Sequence, residues 1–193
     1  AHYELYKKVE KVDGEFLEFG VFKGASFLRF VTFSEIFPKR RDRKFFGFDS
    51  YEKFPREDVK LGSDNEFISR FEEASGDPID IDSLQKLITD KQFSSPDKIN
   101  LIKGNVFETV PIFLKENPDL KIACLHLDMD VYEPTKFCLD KLYPMLEKNS
   151  IIICDDYNQV EGATQAFDEF SAEHGKKINK MNFSKTPYFI ENN

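Results

Sequence analysis

Short apolar runs alternate along this chain with segments whose apolar positions recur at helical spacing, the pattern of an α/β protein built on an open sheet. Tyr3, Tyr6 and Val9 mark a helix over 3–12, Asp13-Gly14 closes it, and Glu15 to Gly20 reads as a first strand. Gly20 to Ser26 is a glycine-bearing turn, after which Phe27, Phe30 and Val31 carry the apolar face of a helix running up to Pro38. Lys39 to Lys44 is a basic run expected to be a solvated loop. Phe45 to Asp49 is the second strand, Lys98 to Lys103 the third and Lys121 to Asp128 the fourth, with a helix over 107–114 and an Asn117-Pro118-Asp119 loop between the last two. Pro134 suits the first turn of a helix whose buried stripe is Cys138, Leu142, Met145 and Leu146. Asn149-Ser150 leads into a fifth strand ending at Tyr157, Gly162 to Glu173 is a helix capped by Gly175, and Lys177 to Met181 with Tyr188 to Glu191 forms a final hairpin.

One stretch departs from this alternation. After the strand ending at Asp49, residues 51–96 form a long insertion: an aromatic turn over 51–55, a charged, loop-like piece over 56–64, a helix marked by Phe67, Ile68 and Phe71, and another marked by Ile81, Leu84, Leu87 and Ile88. Gly76-Asp77-Pro78 separates the two helices. Insertions on the carboxyl edge of a sheet overhang the ligand, so this one is expected to act as a lid. The whole chain, 1–193, is otherwise expected to be a single domain.

Candidate chemistry lies where strands end. Leu127-Asp128-Met129-Asp130 and Ile153-Cys154-Asp155-Asp156 both terminate apolar runs in paired carboxylates, and the offset between Asp128 and Asp155 is 27 positions (155 − 128), enough for a strand, a helix and a parallel neighbouring strand. One strand-end Asp is an ordinary helix cap. Four on adjacent strand tips repel one another unless a cation or a shared proton sits among them, which points to Mg²⁺ or a similar hard ion. Asp49, also at a strand end, is placed to receive a ribose diol, since a carboxylate can accept two hydrogen bonds. The glycine turn reads Gly-x-x-x-Gly rather than Gly-x-Gly-x-x-Gly, which argues against a nicotinamide-dependent oxidoreductase.

Composition narrows the partners. A net charge of −8 speaks against a nucleic acid backbone or an anionic membrane as partner. Three cysteines in apolar settings (Cys124, Cys138 and Cys154) read as reduced core residues, hence a cytoplasmic protein. The N-terminal segment is charged and amphipathic, unlike a signal peptide, and because the chain begins without Met a preceding piece is expected.

With strands and acids placed, the chain resembles the class I S-adenosylmethionine-dependent methyltransferases, and among them the macrocin O-methyltransferase family, which acts on sugar hydroxyls. The resemblance is carried by Glu18-Phe19-Gly20-Val21-Phe22-Lys23-Gly24-Ala25-Ser26, by Phe48-Asp49-Ser50-Tyr51, by Lys103-Gly104-Asn105-Val106, and most specifically by Leu127-Asp128-Met129-Asp130-Val131-Tyr132 and Asp155-Asp156-Tyr157. It implies a Rossmann-like seven-stranded sheet in the order 3-2-1-4-5-7-6, with the last strand antiparallel and helices on both faces. It implies S-adenosyl-L-methionine and Mg²⁺ as cofactors, with Asp128, Asp155 and Asp156 as metal ligands and Asp130 as general base. It also implies a cofactor site of Glu18, Gly20, Gly24, Ser26, Asp49, Ser50, Gly104, Asn105, Val106 and Asp128, and allows a homodimer.

The expected reaction is Mg²⁺-dependent O-methylation of a sugar, nucleotide-sugar or glycoside, with a catechol-type acceptor as the nearest alternative and a non-catalytic cofactor-binding module as another. Asp128 and Asp130 would share the task of binding and deprotonating the incoming hydroxyl. His126, on the same strand face as Asp128 by period-two counting, is a second candidate base or else a satisfied core histidine. Tyr132 and Tyr157 either line the acceptor site or pack beside it, and His174 is placed on a helix-end surface. Two positions depart from the family pattern: Met129 stands where glycine is usual, and His126 where a basic residue is often found.

Overall fold

The computed structural model describes residues 1–37 and 42–193. In chain order its elements are α1 (His2–Val9), β1 (Glu15–Phe19), α2 (Ala25–Ile36), β2 (Phe45–Asp49), α3 (Gly62–Ser75), α4 (Ile81–Asp90), β3 (Ile99–Lys103), α5 (Val106–Glu116), β4 (Ile122–Leu127), α6 (Tyr132–Leu142), β5 (Leu146–Cys154), α7 (Glu161–His174), β6 (Ile178–Lys180) and β7 (Tyr188–Asn192). The strands form one seven-stranded sheet in the order β3-β2-β1-β4-β5-β7-β6. All pairings from β3 across to β5 are parallel, and β7 runs antiparallel to both β5 and β6. The expected order and the expected hairpin are both present.

Why the strands read as continuous apolar runs is plain from the layering, since a parallel sheet is covered on both faces. Leu17, Phe46, Leu125 and Ile152 point to a core shared with α5, α6 and α7. Their sequence neighbours Phe16, Phe45, Cys124 and Ile151 point to the opposite core, under α1, α2 and α4. Cys124, Cys138 and Cys154 are buried free thiols. No helix among the described residues is long and apolar enough to cross a membrane.

Four local expectations are corrected. The α1 helix ends at Val9 and buries Leu5, Tyr6 and Val9, while Tyr3 lies at the surface against Phe33 and Phe37. The α6 helix stops at Leu142; Met145 sits in a 3₁₀ turn and Leu146 already opens β5, so apolar spacing ran on across a change of element. Of the basic run, residues 39–41 lie outside the described residues, but Arg43 is no solvated side chain. It is buried, and its guanidinium donates to the carbonyls of Val9 (2.8 Å), Val12 (2.6 Å) and Gly14 (3.0 Å), tying the end of α1 and the turn after it to the segment before β2. Finally, the last part of the presumed loop over 56–64 is helical, because α3 begins at Gly62 and buries Asp64.

Candidate active site

Strand register decides which residues meet. Phe48 of β2, Phe19 of β1, Leu127 of β4 and Cys154 of β5 lie side by side across the sheet. The residues that follow them, Asp49, Gly20, Asp128 and Asp155, therefore leave the sheet together along its carboxyl edge. That edge is where open α/β sheets take ligands. An open cleft lies over it, lined by Gly20, Asp49, Ser50, Gly104, Asn105 and Val106 from the expected cofactor site. Asp128, Met129 and Asp130 form another part of its wall, and Phe54, Asp58 and Phe71 of the insertion cover it.

Glycine is required where the chain crosses this edge. Gly20 has φ +86, and a Cβ there would lie 1.8 Å from the Asp128 carbonyl oxygen. Gly104 has φ +138, in a region that L residues avoid. Asp49 is fixed by its neighbours: its Oδ2 accepts from Phe22 N at 2.8 Å, and its Oδ1 from Tyr51 N at 2.6 Å and Ser50 Oγ at 3.3 Å, which leaves Oδ2 the freer oxygen for a ligand. Glu18, Gly24 and Ser26 lie behind the cleft wall and do not line it. Ser26 Oγ donates to Glu18 Oε1 at 2.7 Å, and the fully buried Glu18 also pairs through Oε2 with His126 Nδ1 at 2.9 Å.

The strand-tip acids converge. Asp128, Asp155 and Asp156 each present a carboxylate oxygen within 4.8 Å of the others, a spacing that suits one hard cation. Asp130 sits beside them with φ +64, a left-handed conformation held by its N–H donating to Asp156 Oδ2 (3.1 Å) and its carbonyl accepting from Ala163 N (3.2 Å). Burial, followed by the charges of Asp156 and Asp155, raises the Asp128 carboxyl well above its ordinary range. Burial and then the Asp156 and Asp128 charges do the same to Asp130. Asp156 is pushed up to about 6 by burial and by the Asp155 charge. The mutual repulsion of Asp128, Asp130 and Asp156 favours their protonated forms; a divalent ion fits the cluster because it would relieve that repulsion.

Asp155 behaves differently. Burial would raise it, but the His126 and His2 imidazoles, with Nε2 atoms 3.5 and 3.4 Å from its Oδ1, hold it below its ordinary range. His126 is thus a core histidine set between Glu18 and Asp155; burial alone would lower its pKa, but Glu18, Asp155 and Asp128 together outweigh that effect and raise it. Tyr132 and Tyr157 lie outside the cleft lining and donate from their hydroxyls to Glu169 (2.7 Å) and Asp168 (2.6 Å) of α7, and His174 packs between Tyr143 and Phe170. Sequence reasoning missed His2 and the insertion residues Asp58, which accepts from Asn105 Nδ2 at 2.7 Å, and Asp64. Their partners are remote in sequence, so no local pattern marks them.

Solved structures share this fold. Solved structures similar to this chain include CalS11, a calicheamicin methyltransferase, with a TM-score of 0.77 at 24% identity over 98% of this chain and 76% of that one. The O-methyltransferase NovP gives a TM-score of 0.81 at 20% identity, over 98% and 78% of the two chains. An O-methyltransferase from Bacillus cereus in complex with SAH gives 0.52 at 12% identity, over 98% and 78%. At these identities the likeness establishes the fold. No curated protein sequence shows significant similarity. The family profile described as Macrocin-O-methyltransferase (TylF) matches residues 5–186, nearly the whole chain, and so the chain belongs to the macrocin O-methyltransferase family of S-adenosylmethionine-dependent O-methyltransferases.

Proposed function

We propose that this chain methylates a hydroxyl of a sugar, free as a nucleotide-sugar or carried in a glycoside, with Mg²⁺ held by Asp128, Asp155 and Asp156. The observation that carries this reading is the convergence of those three carboxylates within 4.8 Å, with Asp128 in the wall of a cleft that Gly20 of the glycine turn also lines. A sugar acceptor is supported by the family's description and by the printed name of CalS11, a TDP-rhamnose 3'-O-methyltransferase. When bound, S-adenosylmethionine supplies an electrophilic methyl group and Mg²⁺ supplies positive charge beside the acceptor oxygen.

The chain's own residues then have distinct tasks. Asp49 receives the ribose hydroxyls, while Gly20 and Gly104 let the backbone approach the cofactor without side chains in the way. Asn105 and Val106 flank the adenine. Asp130, which shares the cleft wall with Asp128, would take the acceptor proton as the methyl–sulfur bond breaks and the new O–C bond forms, and a cation held by the neighbouring acids would keep it ionised for that role. Phe54 and Phe71 of the insertion exclude water from the reacting atoms. Glu18 and Ser26 act from behind the wall by fixing the turn.

Methyl transfer from S-adenosylmethionine to a panel of sugars, nucleotide-sugars and glycosides, with and without chelator, tests the reading. Turnover is expected on a sugar hydroxyl, lost with chelator and restored by Mg²⁺, and Asp155→Asn should raise the Mg²⁺ concentration needed for half-maximal rate. Chelator-insensitive turnover would remove the metal from the proposal.

A further inference from the structure

The two helices that follow the strand-tip acids begin without a cap of their own. The N-cap residues of α6 and α7 are Val131 and Val160, which have no side-chain acceptor for the open amides of the first turn. The missing acceptor comes from the insertion. Asp64, fully buried in the first turn of α3, accepts from Tyr132 N at 2.8 Å through Oδ2 and from Gly162 N at 3.1 Å through Oδ1. One carboxylate thus caps two helices from outside both, where their dipoles favour negative charge.

The fit is made for this arrangement. A Cβ at Gly162 would stand 2.0 Å from Asp64 Oδ2, so only glycine admits the carboxylate there. The contact is reciprocated, since Glu133 of α6 accepts from Lys60 N of the insertion at 2.9 Å. The next amide of α7, Ala163 N, is the one that holds the Asp130 carbonyl.

We propose that Asp64 is a positioning residue that locks the insertion to the first turns of α6 and α7, so that closing the cover and assembling the Asp128–Asp130–Asp156 cluster are one event. The metal arm of this proposal rests on the reading of Asp128, Asp155 and Asp156 as a cation site, two of whose acids belong to this cluster; the coupling itself does not. With Asp64 in place, α6 and α7 are pinned at the turns that follow Asp130 and Asp156. Without it, two buried helix ends lose their acceptor, and Asp130 loses the fixed neighbour that keeps it left-handed.

The test compares wild type, Asp64→Asn and Gly162→Ala. Asn keeps the shape but turns an amide N–H₂ toward one of the two N–H donors, and Ala pushes the carboxylate away from the other side. Three measurements are made on the whole chain: titration with Mn²⁺ as a spectroscopic substitute for Mg²⁺, calorimetry with S-adenosylhomocysteine, and hydrogen exchange resolved by segment. Both variants should bind Mn²⁺ at least about tenfold more weakly, keep S-adenosylhomocysteine affinity within about threefold, and exchange faster over 62–68, 130–136 and 160–166 together while the sheet stays protected. If one variant fails to fold, the other carries the comparison. Faster exchange confined to 62–68 with unchanged Mn²⁺ affinity would overturn the proposal, as it would show a cap that stabilises the insertion alone. Absence of Mn²⁺ binding in wild type would refute the cation site and leave the exchange pattern to decide the coupling.

Discussion

Gly20 and Asp128 touch backbone to backbone at the end of neighbouring strands, so closely that any side chain at Gly20 would strike the Asp128 carbonyl oxygen at 1.8 Å. The contact joins the glycine turn to the acid cluster.

Replacing Gly20 by Ala should therefore break both halves of the site. A left-handed φ costs an L residue roughly 1–2 kcal/mol, and the clash forces β1 and β4 apart as well. A stability loss on the order of 3 kcal/mol or more is expected from denaturant unfolding, with S-adenosylhomocysteine binding lost in calorimetry. Near-native stability with intact binding would show that the strand tips are free to part.

Asp130→Asn should separate chemistry from binding. The amide cannot take a proton, and general base catalysis is worth roughly a hundredfold or more. Turnover should fall by about that factor, while affinity for S-adenosylhomocysteine stays within a few-fold because Asp49 and the glycine turn are untouched. Equal turnover in the variant would transfer the role of base to another group.

The acid cluster makes a signed prediction about pH. The folded-state pKa of Asp156 is pushed up to about 6 from an ordinary 3.8, so between these values the folded chain keeps a proton that the unfolded chain has released. Stability of the metal-free chain is thus greatest at the acid end of this window and falls as pH rises through it, with Asp128 and Asp130, also raised, extending the decline upward. Mg²⁺ needs the carboxylates ionised, so its stabilisation should run the other way, small near about pH 5 and large near about pH 8. Thermal melts with and without Mg²⁺ across that range check the sign; a rise in melting temperature on adding Mg²⁺ that is independent of pH would count against metal binding at these carboxylates.

Much of the framework was legible from residue order. Apolar runs such as Phe45 to Phe48 and Ile151 to Cys154 mark buried strands because both faces of a parallel sheet are covered, and the acids that follow them land on one edge because the strands are parallel. Boundaries were less secure. The spacing of Cys138, Leu142, Met145 and Leu146 is helical in sequence, yet the last two belong to a 3₁₀ turn and a strand, since an apolar side chain meets the same core from either element.

What the sequence alone determined was the alternation of elements, the glycine turn and the placing of Asp49, Asp128, Asp130, Asp155 and Asp156 at strand ends, all set by local periodicity and chain direction. What only the tertiary structure decided was which polar groups satisfy one another across the chain: His126 with Glu18, 108 residues away, and Asp64 with Tyr132 and Gly162, 68 and 98 residues away. The physical reason is that a buried donor or acceptor must find a partner wherever packing places one. That choice depends on the three-dimensional register of strands and helices, which leaves no periodic trace along the chain.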